Sequence, residues 1–544
     1  MTPQDTLKRL FETTISELFD VQTDVTFEQP KDRSHGDLAC TVAFSLAKPL
    51  KQAPRSIAEA LVAGLPGNEV IASADVAGGG FINITLAKAQ IFDVVPTILN
   101  DFDTFKRPNA GNGAKILLEF VSVNPTGQMH IGHARGAASG DTLARILTQC
   151  QYDVLTEYYV NDAGNQMANL AKSLVARYHQ ALGIQADFPE DGYHGADIKA
   201  LGEKIAQEAG DRYLNDPDIL TIFREIGLTA LLDGIKHDLG RADVQFDSFY
   251  HETTLYKDGH VEDVLARLKA SGYTYTKDGA LFLKTSEKGD EKDRVLIKSS
   301  GDYTYILPDI AYHEQKLKRG YPTLIDILGT DHHGYIARLK ASLEILGYEA
   351  SQLEVLLIQL VRVIRDGEEV KMSKRSGNTL ALSDLLDDVG KDPIRYFFAA
   401  RSLNTHMDLD LNLAEKQRNE NPVYYVQYAH ARISSLLNKA SLLGVEPTAK
   451  ITRETLNLDI LTPLLNHLRH YPDVLSKAAK TREIHKVPNY LHELATLFHR
   501  WYGEEKLITE DRAASLERVH VLTAIQRVLA NGLTLIGVDA PDVM

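Results

Sequence analysis

Residues 115–137 read KILLEFVSVNPTGQMHIGHARGA. The apolar run KILLEFVSV is typical of a buried parallel strand, and the Pro-Thr-Gly turn followed by a helical pattern predicts a helix directly after it. His130 and His133 flank Gly132 and share one face of the first helical turn. That turn carries unpaired backbone N–H groups and the positive end of the helix dipole, so it attracts anions such as phosphate. The alternative is a plain strand and helix with two solvent-exposed histidines.

Length and composition bound the class of protein. A chain of 544 residues is too long for one core and predicts about three domains. No apolar run approaches the roughly 18–20 residues of a membrane helix, and the N-terminal segment reads as an amphipathic helix rather than a targeting peptide. Two cysteines, Cys40 and Cys150, exclude a disulfide framework or a four-cysteine zinc site. We therefore expect a cytoplasmic protein with no membrane partner.

The net charge of −15 argues against a general nucleic-acid binder, which would usually be basic. A local basic stripe on an acidic protein remains compatible with RNA binding. An acidic pocket for a small cationic substrate is equally compatible, so charge alone does not choose between them.

The pattern along the chain predicts an α/β multidomain protein. Residues 1–105 mix a helix (Leu7, Leu10, Phe11, Leu18) with short strands such as FINITL at 81–86, which predicts an α+β domain. The stretch 104–115 is rich in Gly, Pro and Asn and is typical of a linker. Residues 115–410 alternate strand-like and helical runs, which predicts a Rossmann-type parallel sheet, with an insertion at about 168–290. Residues 411–544 are helical throughout and predict an all-α bundle. The predicted strands of the sheet are KILLEF, DVLTEYYV, YTYIL, TLIDILG and LEVLLIQLVRVI.

A second motif, DGEEVKMSKRSGN at 366–378, follows the last strand-like run. Lys371, Lys374 and Arg375 are three cations within five residues, flanked by serines and a glycine. Such a loop is often only a solvated surface. The functional interpretation is that its ammonium groups stabilise the charge that develops when pyrophosphate leaves a nucleotide.

Together the two motifs resemble the HIGH and KMSKS signatures of the class I aminoacyl-tRNA synthetases, in the same order and on the same elements. Arg375 stands where the last serine of KMSKS would be. The surrounding sequence is similar to that of arginyl-tRNA synthetases over nearly the whole chain, most weakly in the insertion. The strings that carry this resemblance are FVSVNPTGQMHIGHARGA (120–137), EYYVNDAGNQ (157–166), YTYILPDIAYHEQK (303–316), GTDHHGYIARLK (329–340), NPVYYVQYAHARI (421–433), DRSHGDLA (32–39) and GGGFINITL (78–86).

This resemblance implies that the protein activates L-arginine with ATP and transfers arginine to the 3′-terminal ribose of its tRNA. It implies that His130 and His133 meet the ATP phosphates, that Gly132 lets adenine pack closely, and that Lys374, helped by Lys371, holds the departing pyrophosphate. Asp331, His332 and Met372 complete the expected ATP site. Mg²⁺ is expected with ATP, bound largely through phosphate oxygens. The Asp-His-His string also invites a metal interpretation, but no further ligand cluster accompanies it, so we expect no zinc.

A guanidinium substrate requires carboxylate acceptors in fixed geometry. The resemblance places these ligands on Tyr305 and Asp309, which sit four apart at a predicted strand-to-helix junction. The alternative is that Asp309 caps the following helix. Asn124 matches the family's contact to the backbone end of the amino acid, although Asn-Pro is also a plain turn. Asp162 and Gln166 could line the same pocket, or belong to a turn at 161–164.

The resemblance also implies that the tRNA elbow meets the N-terminal domain and that the anticodon meets the C-terminal bundle. Candidate contacts are Lys31, Arg33 and His35, and then Tyr424, Tyr425, Tyr428, Arg432 and Trp501, although the apolar spacing of these aromatics is more typical of a bundle core. No insertion looks large enough for an editing domain, which fits selection by charge. We expect a monomer. The alternatives are a class I synthetase for another amino acid, such as lysine or cysteine, and a non-catalytic tRNA-binding paralogue.

Overall fold

The computed structural model describes residues 3–28, 30, 35–330, 333–370 and 380–544. The N-terminal part contains a four-stranded antiparallel sheet of order β1-β2-β4-β3, covered by helices. Its core is formed by the apolar face of the first helix and the inward residues of the predicted strand FINITL. The elements are α1 (Pro3–Phe19), β1 (Phe27–Glu28), β2 (Leu38–Cys40), α2 (Val42–Leu50), α3 (Pro54–Gly64), β3 (Ile71–Ala77), β4 (Phe81–Leu86), α4 (Lys88–Phe92), α5 (Val94–Asn100) and α6 (Phe102–Phe105).

The central part is built on a five-stranded sheet of order β12-β11-β5-β6-β7 in which every neighbouring pair is parallel. The elements are β5 (Lys115–Glu119), α7 (Ile131–Gln149), β6 (Asp153–Val160), α8 (Asn165–Ala181), α9 (Ala196–Ala209), α10 (Ile219–Arg241), β7 (Ser248–His251), α11 (Glu252–Lys257), α12 (His260–Ala270), β8 (Thr274–Lys277), β9 (Ala280–Leu283), β10 (Arg294–Ile297), α13 (Ile306–Lys318), β11 (Thr323–Gly329), α14 (His333–Ile345), β12 (Leu353–Ile358), β13 (Val361–Arg365), β14 (Glu368–Glu369), α15 (Leu382–Asp388), α16 (Lys391–Ala399), β15 (Met407–Asp410) and α17 (Leu411–Ala414).

Strand β5 shows why this sheet needs cover on both faces. Ile116 and Leu118 belong to one core with α7, whereas Leu117 belongs to a second core with α13. A run that is buried on both sides reads as continuously apolar rather than alternating. This parallel sheet, together with the helical region that follows it, confirms the predicted α/β multidomain fold class.

Two of the predicted strands need correction. YTYIL is not a strand, because α13 already begins at Ile306 and Pro308 sits in its first turn, where a missing N–H costs nothing. The run LEVLLIQLVRVI is two strands, since β12 belongs to the parallel sheet whereas β13 pairs with β14 and β15 in another sheet.

The predicted insertion at about 168–290 is also not wholly outside the sheet. Helices α8, α9 and α10 carry a small core of their own, which includes Tyr178 and Phe223. However, β7 pairs in parallel with β6 and forms one edge of the main sheet. Its sequence, SFYH, is short and partly polar, so it lacks the apolar run that marks the other strands.

The C-terminal part consists of α18 (Pro422–Leu442), α19 (Leu458–Arg469), α20 (Tyr471–Thr481), α21 (Lys486–Glu504) and α22 (Arg512–Leu535). Its apolar residues join the same core as α7 and the N-terminal helices. Arg395 of α16 ties these parts together: it is fully buried and donates hydrogen bonds to the Ile536 carbonyl at 2.9 Å and to Asp141 of α7. Among the residues that the structure describes, no helix is both long and apolar enough to cross a membrane.

Candidate active site

His130 and His133 meet at the start of α7. His130 is the N-cap residue, and its Nδ1 accepts the backbone N–H of Gly132 at 3.1 Å. Nδ1 of His133 accepts the backbone N–H of His130 at 3.3 Å. Burial lowers the pKa of both imidazoles, that of His133 to about 4 with a further contribution from His130. Both rings are therefore neutral near pH 7 with the proton on Nε2, which points two N–H donors away from the helix.

Gly132 is required at this turn by the ring beside it. A Cβ at this position would lie 3.1 Å from Cε1 of His130, which is tighter than ordinary van der Waals contact. A side chain here would therefore push the His130 ring away from its N-cap position. The glycine thus preserves the pair of histidines as well as the open space in front of the helix.

The described residues that follow the KMSKR segment lie next to these histidines. Ala381 forms an isolated antiparallel bridge with His130, and the backbone N–H of Leu382 donates to the Met129 carbonyl at 2.7 Å. On the other side, Val370 donates to the Val363 carbonyl at 2.8 Å. The predicted ATP ligands Lys371, Met372 and Lys374, and likewise Asp331 and His332, lie outside the described residues.

A strained backbone leads from β5 to the histidines. Val121 has φ 69° and Ser122 has φ 42°, a left-handed conformation that is uncommon for any non-glycine residue and an outlier for a β-branched one. Asn124 follows, half-buried, and its carbonyl accepts the N–H of Thr126 at 2.7 Å. Asn124 therefore does begin a turn, and this turn sets its position between the strand end and α7.

Three acidic residues stand side by side in the central strands, and one of them, Glu119, ends β5. Asp326 of β11 is in register with Glu119 of β5, which is in register with Glu157 of β6. In-register neighbours project from the same face of a parallel sheet, and here this face is covered by α13. The row is paired with cations from that helix: Lys316 contacts Asp326 and Glu119, and Arg319 donates two hydrogen bonds of 2.7 Å to Glu157.

Asp309 lies above this row, without an ion pair of its own among the described residues. The pKa of its carboxyl group is raised to about 7, chiefly by burial; Glu119 and Glu252 also raise it, while His313 and Lys316 lower it. Glu252 is itself buried, and burial raises its pKa. Tyr159 hydrogen-bonds the Glu252 carboxyl group. Asp309 and Glu252 thus add two carboxyl groups that have no ion pair among the described residues, an environment that suits a cationic ligand.

The structure tests the interpretation of Asp309 as a helix cap. Helix α13 begins at Ile306 with Tyr305 at the N-cap position, so Asp309 is the fourth residue of the helix and not its cap. The capping alternative is wrong. Tyr305 is 81% exposed, so its hydroxyl group lies at the rim of the site rather than inside it.

Asp162 and Gln166 contribute differently from what the sequence suggested. The buried carboxylate of Asp162 accepts hydrogen bonds of 2.9 Å from His251 Nδ1, from the backbone N–H of Thr253 and from the Thr253 hydroxyl. These bonds hold the first turn of α11, where Glu252 lies. We interpret Asp162 as a residue that positions Glu252 rather than one that touches a ligand. Gln166 is exposed in the first turn of α8.

One group of buried side chains within the described part of the chain has the spacing of metal ligands: Glu119, His313 and Asp326. The ammonium group of Lys316 contacts both carboxylates and so fills the position that a metal ion would take. His313 is also committed, because its Nε2 donates to Asp326 at 2.7 Å. These residues do not fit a metal centre.

Sequence reasoning missed Glu119, Glu252 and Lys316. Glu119 carried a visible signal, because it is the one acidic residue in the apolar run KILLEF and a strand buried on both faces has no solvent for it. Lys316 and Glu252 look like ordinary surface residues in their own helices. Their burial results from packing between segments far apart in the chain.

The candidate RNA contacts separate into surface and core. Trp501 is 1% exposed and belongs to the bundle core. Arg432 lies between two rings, its guanidinium carbon 4.3 Å from the centroid of Tyr428 and 4.5 Å from that of Tyr502. An open cavity of about 410 Å³ adjoins this stack, lined by Arg418, Asn419, Glu420, Tyr428 and Arg432. Tyr424 and Tyr425 are half-buried, His35 is exposed, and Lys31 and Arg33 lie outside the described residues.

The parallel sheet, the two histidines at the first helix after β5 and the anchored segment after β14 define a class I aminoacyl-tRNA synthetase. Residues 94–406 match the family model "tRNA synthetases class I (R), catalytic domain". Residues 5–86 match "Arginyl tRNA synthetase N terminal domain", and residues 426–544 match "DALR anticodon binding domain".

Similar proteins narrow the class to one family. The chain is 47% identical to arginine–tRNA ligase 1 of Halalkalibacterium halodurans and 46% identical to the arginine–tRNA ligase of Bacillus subtilis, in each case over 96% of this chain and 94% of the relative. The fold matches that of the Thermus thermophilus arginyl-tRNA synthetase with a TM-score of 0.77 and 22% identity, over 99% of this chain and all of the other. The chain belongs to the arginyl-tRNA synthetase family.

Proposed function

We propose that the site at the carboxyl ends of β5, β6 and β11 activates L-arginine with ATP and passes the arginyl group to tRNA. The protein is an arginine–tRNA ligase. In the first step the arginine carboxylate attacks the α-phosphorus of ATP, the bond to the β-phosphate oxygen breaks, and pyrophosphate leaves. In the second step a 3′-terminal ribose hydroxyl of the tRNA attacks the arginyl carbonyl and AMP leaves.

The phosphate end of the site is assigned to the start of α7. The neutral rings of His130 and His133 supply Nε2–H donors, and the first turn adds backbone N–H groups and the helix dipole. Lys374 and Lys371 are assigned to the leaving pyrophosphate. Support comes from the bridge between His130 and Ala381, because Ala381 follows the KMSKR segment closely in the sequence. Charge stabilisation of this kind suits an in-line displacement, which needs little covalent help from the protein.

The remaining nucleotide contacts follow the same logic. Gly132 keeps the space in front of α7 free for the adenine base, and Met372 is assigned to the same ring. Asp331 and His332 follow β11 at its carboxyl end, where open α/β sheets bind ligands, so we assign them to the ribose. Mg²⁺ accompanies ATP and is held by phosphate oxygens.

The observation that carries the choice of amino acid is that the carboxyl groups of Asp309 and Glu252 have no ion pair among the described residues. Asp309 and Glu252 are carboxyl groups with raised pKa values, and Glu119 lies beside them. A guanidinium ion offers several N–H donors in a plane and stays charged at any working pH, so it suits more than one carboxylate at once. We assign Asp309 and Glu252 to the guanidinium group, Tyr305 to the rim above it, Gln166 to the edge, and Asn124 to the amino end of the substrate.

We propose two contact surfaces for the tRNA. On the N-terminal domain, Phe44 and Phe81 are 40% and 44% exposed and form an edge-to-face pair with centroids 4.9 Å apart. On the bundle, the stack of Tyr428, Arg432 and Tyr502 adjoins an open cavity. Unpaired RNA bases stack on aromatic rings and guanidinium planes, so both surfaces suit loop nucleotides.

We propose three domains, at 1–105, 115–410 and 411–544. Strand β7 lies in the predicted insertion at about 168–290 but belongs to the central sheet. A monomer is testable by light scattering coupled to gel filtration. A cytoplasmic location is supported by the two cysteines, both buried and both free.

The experiment that tests the function is ATP–pyrophosphate exchange, with arginine against lysine and the other amino acids, each with and without tRNA. Among the amino acids tested, we expect only arginine to support exchange. Exchange with a different amino acid would keep the class and refute the guanidinium assignment. No exchange under any condition, from folded protein, would favour a tRNA-binding paralogue.

A further inference from the structure

Lys316 is a wholly buried lysine in the row of acids beneath the substrate site. Its side chain is 0% exposed. The ammonium group contacts the Glu119 carboxylate and lies 2.9 Å from Oδ1 of Asp326, and it stands 4.3 Å from the centroid of the Tyr312 ring. Burial lowers the pKa of this lysine, but the Asp326 and Glu119 carboxylates outweigh burial and raise it to about 12. Lys316 is therefore a permanent buried cation.

A buried group of two carboxylates and one ammonium is not the arrangement that stability favours. Apolar residues of similar volume are often as stable or more stable, because desolvating ions is costly. The neighbours of Lys316 show what the group does instead. His313, one turn earlier on α13, donates to Asp326 at 2.7 Å and contacts the Asp309 carbonyl at 2.8 Å. The network thus fixes α13, and with it Asp309, against the strand ends.

The orientation of Glu119 is fixed at both of its oxygens. Oε2 meets Lys316, and Oε1 accepts the hydroxyl of Ser122 at 2.9 Å. The Ser122 hydroxyl oxygen in turn accepts the backbone N–H of Tyr159 at 3.0 Å. Ser122 makes both contacts from a left-handed backbone, with φ 42°. Glu119 is therefore held at both carboxylate oxygens.

We propose that Lys316 is a positioning residue for arginine binding, which holds the Glu119 carboxylate in place beneath the substrate guanidinium and limits the unpaired negative charge of the site. The proposal rests on the proposed function. Without the ammonium group, the Glu119 and Asp326 carboxylates would face each other in adjacent strands with no cation between them. Their repulsion would displace Glu119, and the guanidinium site would lose its geometry.

The test compares three variants by pyrophosphate exchange and thermal unfolding: Lys316→Met, Lys316→Met/Asp326→Asn, and the control Lys318→Met. Lys318 lies two residues further on the same helix, is partly exposed, and pairs with Glu314 at 2.9 Å and with Asp263 at 3.3 Å. The Lys318→Met substitution removes the same charge from the same helix, but at a position away from the site. The Asp326→Asn change in the double variant removes one of the two buried carboxylates that Lys316 neutralises. We therefore expect the double variant to fold even if Lys316→Met alone is too unstable.

We expect Lys316→Met to raise KM for arginine about 30- to 300-fold while KM for ATP stays within about twofold. The dependence of that KM on pH should also move to higher pH, because the charge of Lys316 lowers the pKa of Asp309 and its loss lets that pKa rise. The double variant should recover unfolding temperature but not arginine affinity. Lys318→Met should match the parent protein.

Two results would overturn the proposal. One is a double variant that regains the parent KM for arginine, because Lys316 would then only neutralise Asp326. The other is an unchanged arginine KM and pH profile in both Lys316 variants. Failure of the parent protein to exchange with arginine would instead refute the proposed function, so the two failures are distinguishable.

Discussion

The rings of His130 and His133 stack with their centroids 3.5 Å apart, each holding a backbone N–H on Nδ1. This arrangement leaves the two Nε2–H groups as the donors of the site. Because both pKa values lie below the ordinary value for histidine, the donors persist in their neutral form at pH 7.

His133→Ala should lower kcat for pyrophosphate exchange by about 100- to 1,000-fold, as the loss of a transition-state donor does elsewhere. The fold should survive, since α7 is held by its core face. The matched control is His237→Ala, an exposed histidine of α10. Equal effects of the two substitutions would refute the phosphate role.

Lys374→Ala should depress arginine activation by about two to three orders of magnitude while leaving the unfolding temperature unchanged. The expected loss is in kcat, because the charge that this lysine meets develops as pyrophosphate departs. Lys340→Ala, on α14, provides a charge-matched control. Near-normal turnover by Lys374→Ala would remove the pyrophosphate assignment.

Arginine binding should strengthen as pH rises through about 7. The pKa of Asp309 is raised to about 7, so below this pH the carboxyl group is neutral and above it the group is a carboxylate that attracts the guanidinium. For the empty protein the sign is opposite: a folded-state pKa above the unfolded value of 3.8 means that stability falls as pH rises from about 4 through 7. The increase in unfolding temperature on adding arginine should be larger at pH 8 than at pH 6.

Asp309→Asn is the control for this pH effect. It should abolish the difference between pH 6 and pH 8 and should raise KM for arginine far more than KM for ATP. A variant that keeps the pH difference would show that another group titrates. Equal increases in both KM values would remove Asp309 from the guanidinium site.

Phe81→Ala should raise KM for tRNA about 5- to 30-fold, the loss expected for one stacked base. Exchange kinetics with ATP should be affected much less. Leu18→Ala, which also removes an exposed apolar side chain from the N-terminal part, serves as control. A point substitution is cleaner than deleting residues 1–105, because Arg527 of α22 donates to the Ile98 and Leu99 carbonyls of α5 and would lose them. An unchanged tRNA KM would refute this surface.

Gly537→Ala should destabilise the protein by about 2–4 kcal/mol. Gly537 has φ 69°, and a Cβ there would lie 2.4 Å from the buried guanidinium of Arg395. The control is Gly234→Ala in α10, where a Cβ meets nothing within 4 Å and alanine favours the helix. Denaturant unfolding of both variants checks the prediction, which a loss below that of Gly234→Ala would contradict.

The reach of sequence reasoning differs between strands and charges. KILLEF, DVLTEYYV and TLIDILG were predictable because each is a short run rich in apolar, β-branched or aromatic residues, as covered strands are. YTYIL has residues of the same types, but a helix begins within it at Ile306, since Pro308 is compatible with a first helical turn. Local pattern could not separate these cases.

In the candidate site, the positions of the motif residues could be predicted from the sequence, but the pairing of the buried charged residues could not. His130 and His133 fall where a strand-turn-helix places them, because their contacts are with neighbours in sequence. The pairing of Lys316 with Glu119 joins α13 to β5. The sequence around Glu119 suggests that it is buried, but nothing near either residue indicates that the two are partners. For Trp501 the sequence pattern was the better guide: it was considered for RNA contact, but its helical apolar spacing indicated the bundle core, where it is buried.

The bridge between His130 and Ala381 has a consequence for engineering this scaffold. Two segments remote in the chain share backbone hydrogen bonding at the nucleotide end of the site, with Leu382 bonded to Met129 as well. A chimaera that takes the helix start from one family member and the later segment from another would pair backbones that were never selected together. The start of α7 and the segment that contains Ala381 should therefore be exchanged together.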